Sequence, residues 1–553
     1  MEKIKQKLQE RHGLMKWLPL IVLSTAVMII IIDTTVLNVS IRNILGDLHT
    51  TVQNIQWVIS AYSLTLAALT VTGGRLGDLF GRKRMFMLGA VLFALGSLIT
   101  SFAPTIAWVI FGNAIVEGIG AALMMPATAS LLVNHYRGKD RALAFAIWGS
   151  VAASAVAVGP ILGGYLTTNY SWRWAFRINL VVVVLLLIGS RVIKEAHDRA
   201  EKIELDGIGI LLSSVGLTSM VYGLIESSTY GWGIAKQSFA LFGHSFAPFN
   251  LSIAPITILI GLVLLLLFGI FEYKHEAKGH TPLVSLGLFE NKQFTAGAVT
   301  TAMMALGQTG LIFSVPIFFQ SVLGLDAFHT GLGLLPMSLA IMIGAPTSLR
   351  LTKRFLPKQI IQMGFVISSL GALYLLLILS TSSTVWTIAP GLFIYGLGMG
   401  FGFSQLGNLT LSAVSIEQSG EASGVNNTLR QVGSSFGSAL IGAALIATLT
   451  SSVVTKLNAS TVIPAASKAQ IVNGVKDAGS NIEFQAPSGG DHKLPAAIQA
   501  EITKSTHEAT VDGNKVALGF TGGFALLALA FSTLLPSIRD LETGEKAKVS
   551  AAH

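Results

Sequence analysis

The stretch GGRLGDLFGRKR, residues 73–84, lies between two apolar runs at 53–73 and 85–103. Each run is long enough for a helix that crosses the ~30 Å hydrocarbon core of a bilayer. The stretch combines glycines, which permit close approach and sharp turns, with one acidic and several basic residues. A simple basic loop explains its arginines and lysine, but not its glycines and its aspartate together. We interpret it as a conformational loop motif, whose members are Gly74, Arg75, Gly77, Asp78, Gly81, Arg82 and Arg84.

The composition of the 553 residues indicates an integral membrane protein. Hydrophobic residues make up 52% of the chain and charged residues only 12%, which is about half the charged fraction of a typical soluble domain. The chain has no cysteine, which excludes disulfides and thiolate metal sites. No Walker sequence is present, so we expect no direct coupling to ATP.

Apolar runs and turn signals predict fourteen transmembrane helices, and therefore an all-α polytopic membrane protein. Because this number is even, both termini are expected on one side of the membrane. The first run lacks a small-residue cleavage site, so we interpret it as a retained span rather than a signal peptide. The predicted spans are 17–41, 53–73, 85–103, 106–133, 142–166, 173–193, 207–228, 251–272, 294–322, 329–349, 358–380, 385–412, 424–449 and 517–536.

The distribution of basic residues predicts the orientation. Most of the 37 Lys and Arg residues fall in the N-terminal tail 1–16, in the even-numbered loops and in the C-terminal tail 537–553. The positive-inside rule then places both termini in the cytoplasm. This topology also explains the net charge of +9, so we expect a lipid bilayer around the chain and no nucleic-acid partner.

Asp33 falls inside the first apolar span and Glu117 inside the fourth. A charged side chain at membrane depth costs about 2.5–3.5 kcal/mol on insertion scales, so both are candidates for proton coupling or substrate binding. Burial favours the neutral form of a carboxyl group, which would allow it to take up and release a proton. Two alternatives stay open. Asp33 would also fit a solvated cap near the headgroups, and Glu117 a structural residue bonded to a neighbouring helix.

The fifth span contains the sequence GPILGG, residues 159–164. Its proline removes a helical N–H donor and kinks the helix, while its glycines permit tight contact between helices. An ordinary packing seam is the alternative interpretation. The residues of this motif are Gly159, Pro160, Gly163 and Gly164.

These motifs together resemble the major facilitator superfamily, in particular its fourteen-span drug:proton antiporter branch (QacA type). The stretch at 73–84 resembles the signature loop between the second and third helices of the superfamily. The motif at 159–164 resembles the antiporter motif of its drug exporters. The pattern Asp33-x-Thr35-x-x-Asn38 resembles the first span of the branch. Ala114 departs from the family pattern, since it stands where an Arg linked to proton coupling is usual.

The resemblance implies the major facilitator fold, with two six-helix bundles and two accessory helices. It assigns 17–193 to the N-terminal bundle and 194–293 to the accessory helices 7 and 8 with their loops. It assigns 294–536 to the C-terminal bundle, including an extracellular loop or hairpin at 450–516.

The resemblance also implies a substrate cavity between the two bundles. Candidate cavity residues are Asn38, Trp57, Tyr62, Gln320 and Asn426, and the gate candidate is Arg430. Alternatives stay open for three of them. Trp57 and Tyr62 equally fit an interfacial belt or core packing, and Arg430 equally fits a snorkelling anchor.

The expected function is proton-coupled efflux of lipophilic, cationic compounds by alternating access, without cofactor or metal. Carboxylates and aromatic faces in an apolar cavity would attract cations. The resemblance further implies a monomer in a bacterial cytoplasmic (inner) membrane, with a small molecule and protons as its ligands. Export of a lipid, fatty acid, amino acid or peptide is the main alternative. A channel is a second one. A membrane enzyme or receptor is disfavoured, since the spans show no nucleophile–base set.

Overall fold

A bilayer offers backbone polar groups no partner except each other, so apolar runs of about 20 residues form helices. In the computed structural model, thirteen helices of the described residues are long and apolar enough to span a membrane, and a bent helix makes the fourteenth. The predicted all-α polytopic fold is therefore confirmed. The described residues are 2–136, 138–195, 206–235, 239–241, 244–246, 250–280, 282–411, 413–414, 419–464, 467–469, 471–472 and 495–535.

Six spanning helices form the N-terminal bundle. Phe86 and Phe93 are fully buried in its apolar core. A short helix, Ile41–Leu48, follows the first of the six. The six are α1 (Glu2–Val39), α2 (Val52–Phe80), α3 (Arg82–Ser101), α4 (Ile106–His135), α5 (Gly138–Asn169) and α6 (Arg173–Gly189).

Helix α5 is the bent one. Its two parts, Ile147–Val156 and Val158–Asn169, meet at an angle of 42°. Pro160 lies within one turn of the bend. Proline has no N–H for the carbonyl four residues earlier and its ring crowds that carbonyl, which explains the bend.

Two accessory helices, α7 (Gly207–Tyr230) and α8 (Ile253–Ala277), follow the first bundle. A short antiparallel ribbon of β1 (Phe239–Leu241) and β2 (His244–Phe246) lies in the connection between them. Helix α7 packs against α8, α2 and the later helix α13. Helix α8 is apolar around its whole circumference and largely exposed, as expected for a helix that faces lipid.

The C-terminal bundle also contains six spanning helices. Its core includes the fully buried side chains of Phe365 and Tyr395. The six are α9 (Lys292–Ser321), α10 (Ala327–Leu351), α11 (Pro357–Ile378), α12 (Val385–Leu411), α13 (Ser419–Ala459) and α14 (Ala496–Ser532).

Helices α13 and α14 extend well into the segment 450–516, for which the sequence predicted a loop or hairpin. Within this extension Lys456 bridges Glu508 at 3.2 Å and Asp512 at 3.4 Å. Residues 473–494, in the middle of the segment, lie outside the described residues. Apolar side chains of both helices also pack together here, including Val453, Leu457, Ile498 and Ile502.

The two ends of the helices are named by charge. The basic face is the end where α2 ends at Phe80 and α3 begins at Arg82. The opposite face is the end where α1 ends at Val39 and α2 begins at Val52. Odd-numbered helices therefore run from the basic face to the opposite face.

The two bundles are joined toward the opposite face. Gln56 of α2 donates its amide to the carbonyls of Ser438 and Ala439 on α13, both at 2.8 Å. The hydroxyls of Ser60 and Ser438 lie 2.6 Å apart, and Ser435 donates to the Ser60 carbonyl at 2.9 Å. We call these five residues the opposite-face seal. Within the described part of the chain, every hydrogen bond between the bundles that joins N or O atoms lies toward this face.

Glycines bring α5 into close contact with α10 beside this seal. A Cβ on Gly164 would lie 2.4 Å from the Ala327 carbonyl oxygen, and one on Gly331 would lie 2.3 Å from the Pro160 carbonyl oxygen. Real Cβ atoms do not approach backbone this closely. The absence of a side chain at both positions is therefore required for the two bundles to meet here.

Replacing Gly164 by Val is expected to separate the bundles at the opposite face. The added side chain must displace the backbone of α10, and such overpacking typically costs about 1–3 kcal/mol. The measurement is maleimide labelling of a cysteine introduced at Ser438, which should become faster in Gly164→Val. Gly149→Val is the control, because nothing lies within 4 Å of a Cβ at that position of the same helix. Equal labelling in both variants would contradict the expectation.

Candidate functional site

The two carboxyl groups that the sequence analysis singled out lie together inside the N-terminal bundle. Asp33 of α1 is 3% exposed and Glu117 of α4 is fully buried. The burial of Asp33 is incompatible with a solvated cap near the headgroups. Both side chains are enclosed by helices of the first bundle rather than lining the space between the two bundles.

Two asparagines hold the carboxyl groups. Asn113 of α4 donates its amide to Asp33 Oδ2 at 2.9 Å and to Glu117 Oε2 at 3.1 Å. Asn179 of α6 donates to Asp33 Oδ1 at 3.2 Å and to Glu117 Oε1 at 3.1 Å. Ser97 of α3 donates its hydroxyl to Glu117 Oε1 at 2.5 Å and accepts from the Asn179 amide at 2.9 Å. We call these five residues the carboxyl cluster.

A local change of helix type positions the α4 members of the cluster. Residues Ile110–Glu117 form a π-helix, a form that often occurs at functional sites. Close contact with α3 accompanies it. A Cβ on Gly96 would lie 2.4 Å from the Glu117 nitrogen and 2.5 Å from the Gly112 oxygen. Any larger residue at Gly96 would push α4, and Glu117 with it, away from the cluster.

The charge balance of the cluster suits proton exchange. No Lys, Arg or His nitrogen of the described residues lies within 4.0 Å of either carboxyl group. Two ionised carboxylates would repel each other strongly in this low-dielectric interior. Only donors from neutral side chains are available to them. An arrangement of this kind is stable when the pair carries at least one proton, and it can titrate as a unit.

Tyr62 and Asn38 are buried near the cluster. Tyr62 of α2 is 2% exposed, and its hydroxyl has no hydrogen-bond partner among the described residues. Asn38 donates to the Thr34 carbonyl of its own helix at 3.2 Å, and its side-chain oxygen is buried without a described partner. Neither residue is exposed to a cavity in this conformation.

Trp57 packs against the accessory helix α7. Its indole N–H donates to Glu226 Oε1 at 2.9 Å, and its ring lies 5.6 Å from that of Tyr222. Gln53 donates to the other oxygen of Glu226 at 3.2 Å. This position agrees with the core-packing alternative rather than with a cavity lining. The sequence analysis did not single out Glu226, although an acidic residue within the run 207–228 was a visible signal.

Gln320 joins the two bundles where α1 ends. Its amide donates to the Val39 carbonyl at 3.0 Å, and its oxygen accepts from the Arg42 backbone N–H at 3.0 Å. Ser40 interrupts the helix between these two groups, which leaves them without helical partners. Gln320 of α9 therefore completes the hydrogen bonding of this break, and its 2% exposure leaves no surface for a ligand.

The loop motif joins α2 to α3 through a single residue. Gly81 has a φ of 103°, which favours glycine, and a Cβ there would lie 3.0 Å from the carboxylate of Glu195. Gly74 faces Pro126 of α4, and Gly77 faces the side chain of Arg82.

The charged members of the loop motif point in different directions. Arg75 donates to the Pro282 carbonyl, in the segment before α9, at 3.1 Å. Arg82 is partly buried and Arg84 is exposed. The described side chains do not include that of Asp78, so its predicted role in the loop motif stays a prediction.

The α5 motif contacts both bundles. A Cβ on Gly159 would overlap the hydroxyl of Thr35 on α1, and one on Gly163 would lie 2.8 Å from a Val36 methyl. Gly164 and Pro160 instead face α10, as described above. The motif therefore places α5 between α1, which carries Asp33, and helix α10 of the second bundle.

Arg430 and Asn426 lie on α13. Arg430 donates through Nε and Nη2 to Asn427 Oδ1 at 3.3 and 2.9 Å. It is partly buried, and no carboxylate of the described residues lies within 4.0 Å of it. Asn426 is also partly buried, and its side-chain oxygen has no partner among the described residues.

Fourteen spans, twelve of them in two six-helix bundles, with buried carboxyl groups at membrane depth, define the class of secondary membrane transporters. Residues 23–438 match the family model of the Major Facilitator Superfamily. The chain belongs to this superfamily and is a multi-pass membrane transporter, not an enzyme.

Similar proteins include several bacterial exporters. The chain is 27% identical to the "Tetracenomycin C resistance and export protein" of Streptomyces glaucescens, over 96% of this chain and 93% of that protein. It is 30% identical to the "Multidrug efflux pump LfrA" of Mycolicibacterium smegmatis, over 77% of this chain and 80% of that protein. It is 28% identical to the "Multidrug resistance protein Stp" of Mycobacterium tuberculosis, over 78% of this chain and 76% of that protein.

Solved structures support the fold. A bacterial homolog of the human lysosomal transporter Spinster, in an inward-facing and occupied conformation, superposes with a TM-score of 0.61 at 14% identity, over 93% of this chain and 95% of that one. A D-xylose–proton symporter superposes with a TM-score of 0.53 at 13% identity, over 77% of this chain and 90% of that one. At these identities the likeness concerns the fold alone.

Proposed function

We propose that this protein exports lipophilic small molecules across a bacterial cytoplasmic membrane in exchange for protons. Relatives named for drug resistance and export support the efflux direction. The observation that carries the proton coupling is the carboxyl cluster, in which Asp33 and Glu117 share two amide donors and no basic side chain of the described residues lies beside them. A buried pair of this type gains or loses a proton more easily than it tolerates two charges.

The basic face is proposed to be the cytoplasmic one, in keeping with the positive-inside rule. The bundles are sealed at the opposite face, so substrate would enter from the cytoplasm or the inner leaflet in the described conformation. Rocking of the bundles about the central seam would then break the seal and open the other side. No cofactor takes part, and the chain acts as a monomer.

The proton would reach the carboxyl cluster from outside once the seal is open. Protonation removes the charge repulsion between Asp33 and Glu117, and return to the described conformation releases the proton to the cytoplasm. A membrane potential adds about 2.3 kcal/mol per charge per 100 mV to this cycle. In this mechanism Ser97, Asn113 and Asn179 keep their hydrogen bonds to the pair in both protonation states. This limits the free-energy cost of adding or removing the proton.

The sequence also predicts cationic substrates, on the assumption that Asp33 or Glu117 faces the substrate. Both are enclosed by the first bundle in this conformation. A bulky cation would reach them only after the helices of that bundle move apart. Lipophilic character therefore defines the proposed substrates.

The test uses inverted membrane vesicles with an acidified lumen. Addition of a lipophilic compound should alkalinise the lumen, because each molecule carried inward is exchanged for protons. Ethidium and a lipophilic carboxylic acid should be tried in parallel, with vesicles from cells that lack the protein as the control. Flux that persists after a protonophore collapses the gradient would indicate a channel and refute the proposal.

A further inference from the structure

Arg430 is a basic residue that lies inside the spanning helix α13 near the central seam. It lies 11 positions after the start of α13 at Ser419, or about 16 Å along the helix axis. Its guanidinium bonds to Asn427, whose amide nitrogen lies 3.7 Å from the sulfur of Met125 on α4. The guanidinium is therefore at the boundary between the two bundles.

The opposite-face seal lies directly beyond Arg430. Ser435 and Ser438, one to two turns further along α13, bond to Ser60 of the first bundle. Arg430 thus lies on the cytoplasmic side of the closed seam, one to two helical turns before the seal. A substrate that enters from the basic face and reaches the end of its path would meet this group.

A second polar group shares this helix face. Asn426 precedes Arg430 by four residues, and residues four apart on a helix lie one above the other. The side-chain oxygen of Asn426 is buried without a partner among the described residues. Buried polar atoms normally have hydrogen-bond partners, so the described contacts leave this amide group unsatisfied. Its oxygen is an acceptor, so only the amide nitrogen of Asn426 could donate to a bound acid.

The charge of Arg430 requires an anion. A guanidinium does not lose its proton in proteins, and holding it in the interior without a counter-ion is costly. The buried carboxyl groups Asp33 and Glu117 do not serve, because they are held by Asn113 and Asn179 in the first bundle. The bonds to Asn427 satisfy only Nε and Nη2. The planar fork of an arginine is well suited to two parallel bonds with a carboxylate.

We propose that Arg430 binds the acidic group of lipophilic substrates that carry a carboxylate, with the amide nitrogen of Asn426 as a second donor. This inference rests on the proposed export function and names its substrate class. It replaces the expected preference for cations by a preference for amphipathic acids. Binding of the acid would also pair the charge of Arg430, so the net charge at the seam would differ between the empty and the occupied protein.

The test compares two dyes that differ only in charge at one position. Rhodamine 110 carries a free carboxylate, and rhodamine 123 is its methyl ester. Fluorescence polarisation measures the binding of each dye to the full-length protein in nanodiscs. We expect wild type to bind the carboxylate dye at least about tenfold more tightly, the size of one charge-assisted pair. Arg430→Gln should abolish this preference, and Arg430→Lys should retain part of it.

Controls separate the proposal from folding and from transport. Arg354→Gln, at an exposed position near the basic face, should bind both dyes as wild type does. A melting temperature within a few degrees of wild type would show that Arg430→Gln is folded. The dye measurement is an equilibrium binding assay that needs no proton gradient, so its result does not depend on transport. Equal binding of the two dyes, no binding of rhodamine 110 to wild type, or an unchanged preference in Arg430→Gln would each overturn the proposal, whatever the outcome of the vesicle experiment.

Discussion

Replacing Asp33 by Asn is expected to reduce proton-coupled transport to background while leaving the protein folded. Asparagine has nearly the same shape and can still accept one of the two amide bonds, but it cannot take up a proton. The variant also loses the repulsion between two buried carboxyl groups, so its melting temperature should equal or exceed that of wild type. The measurement is compound-dependent alkalinisation of acid-loaded inverted vesicles.

The same substitution should preserve exchange of substrate for substrate. A neutral side chain at position 33 imitates the protonated state, in which the bundles can rock with the substrate bound. Glu117→Gln is expected to behave alike, since Asn113 and Asn179 hold both carboxyl groups and either change removes the pair. Vesicles with labelled substrate on one side and unlabelled substrate on the other measure this exchange.

Glu226→Gln is the matched control for both variants. Glu226 is a carboxyl group that also accepts two side-chain hydrogen bonds, but it lies between α2 and the accessory helix α7. Its replacement should leave proton coupling intact. If Asp33→Asn still alkalinised the lumen at the wild-type rate, the carboxyl cluster would not be the coupling site and the proposed mechanism would be wrong.

The sequence predicted the helices well because a bilayer imposes one requirement on every span. A run of about 20 apolar residues has to be helical, so hydropathy alone locates the spans. The bend in α5 and the single-residue turn at Gly81 were also predictable from sequence, because Pro160 and Gly81 determine the local backbone conformation themselves. The extension of α13 and α14 beyond the apolar runs could not be predicted from sequence, because a polar helix that is stabilised by packing has no hydropathy signal.

The carboxyl cluster was predicted only in part. Asp33 and Glu117 were identified singly, as acidic residues in apolar runs. Their meeting depends on how α1, α3, α4 and α6 pack, which no local pattern encodes. The spacing of Asn113 and Glu117 does place them on one helix face, so Asn113 was a detectable partner. The π-helix that aligns them depends on the close contact at Gly96.

Side-chain direction was the weakest part of the sequence analysis. Trp57 was a candidate cavity residue and packs instead on α7, while Gln320 closes a helix break. Helix α2 is bordered by its own bundle, by α13 and by α7. With apolar neighbours on all these sides, hydrophobic periodicity does not distinguish a face toward a cavity from one toward another helix.

A disulfide across the opposite-face seal is expected to stop transport completely and reversibly. Ser60 and Ser438 belong to different bundles, and their hydroxyl oxygens lie 2.6 Å apart. Cysteines at both positions would need only a small adjustment to reach the ~2.05 Å sulfur–sulfur bond. The chain has no cysteine of its own, so Ser60→Cys combined with Ser438→Cys introduces the only pair. Efflux should fall to background on oxidation and recover on reduction.

The locked protein also separates binding from transport. Arg430 lies on the basic-face side of the seal, so the oxidised double variant should still bind rhodamine 110 from the basic face while it no longer moves any compound. Each single cysteine variant, treated with the same oxidant, should transport as before. Normal efflux by the fully cross-linked protein would show that the bundles do not separate at Ser60 and Ser438 during the cycle. In that case the seal would be a permanent contact, and substrate would have to leave by a lateral path between the helices.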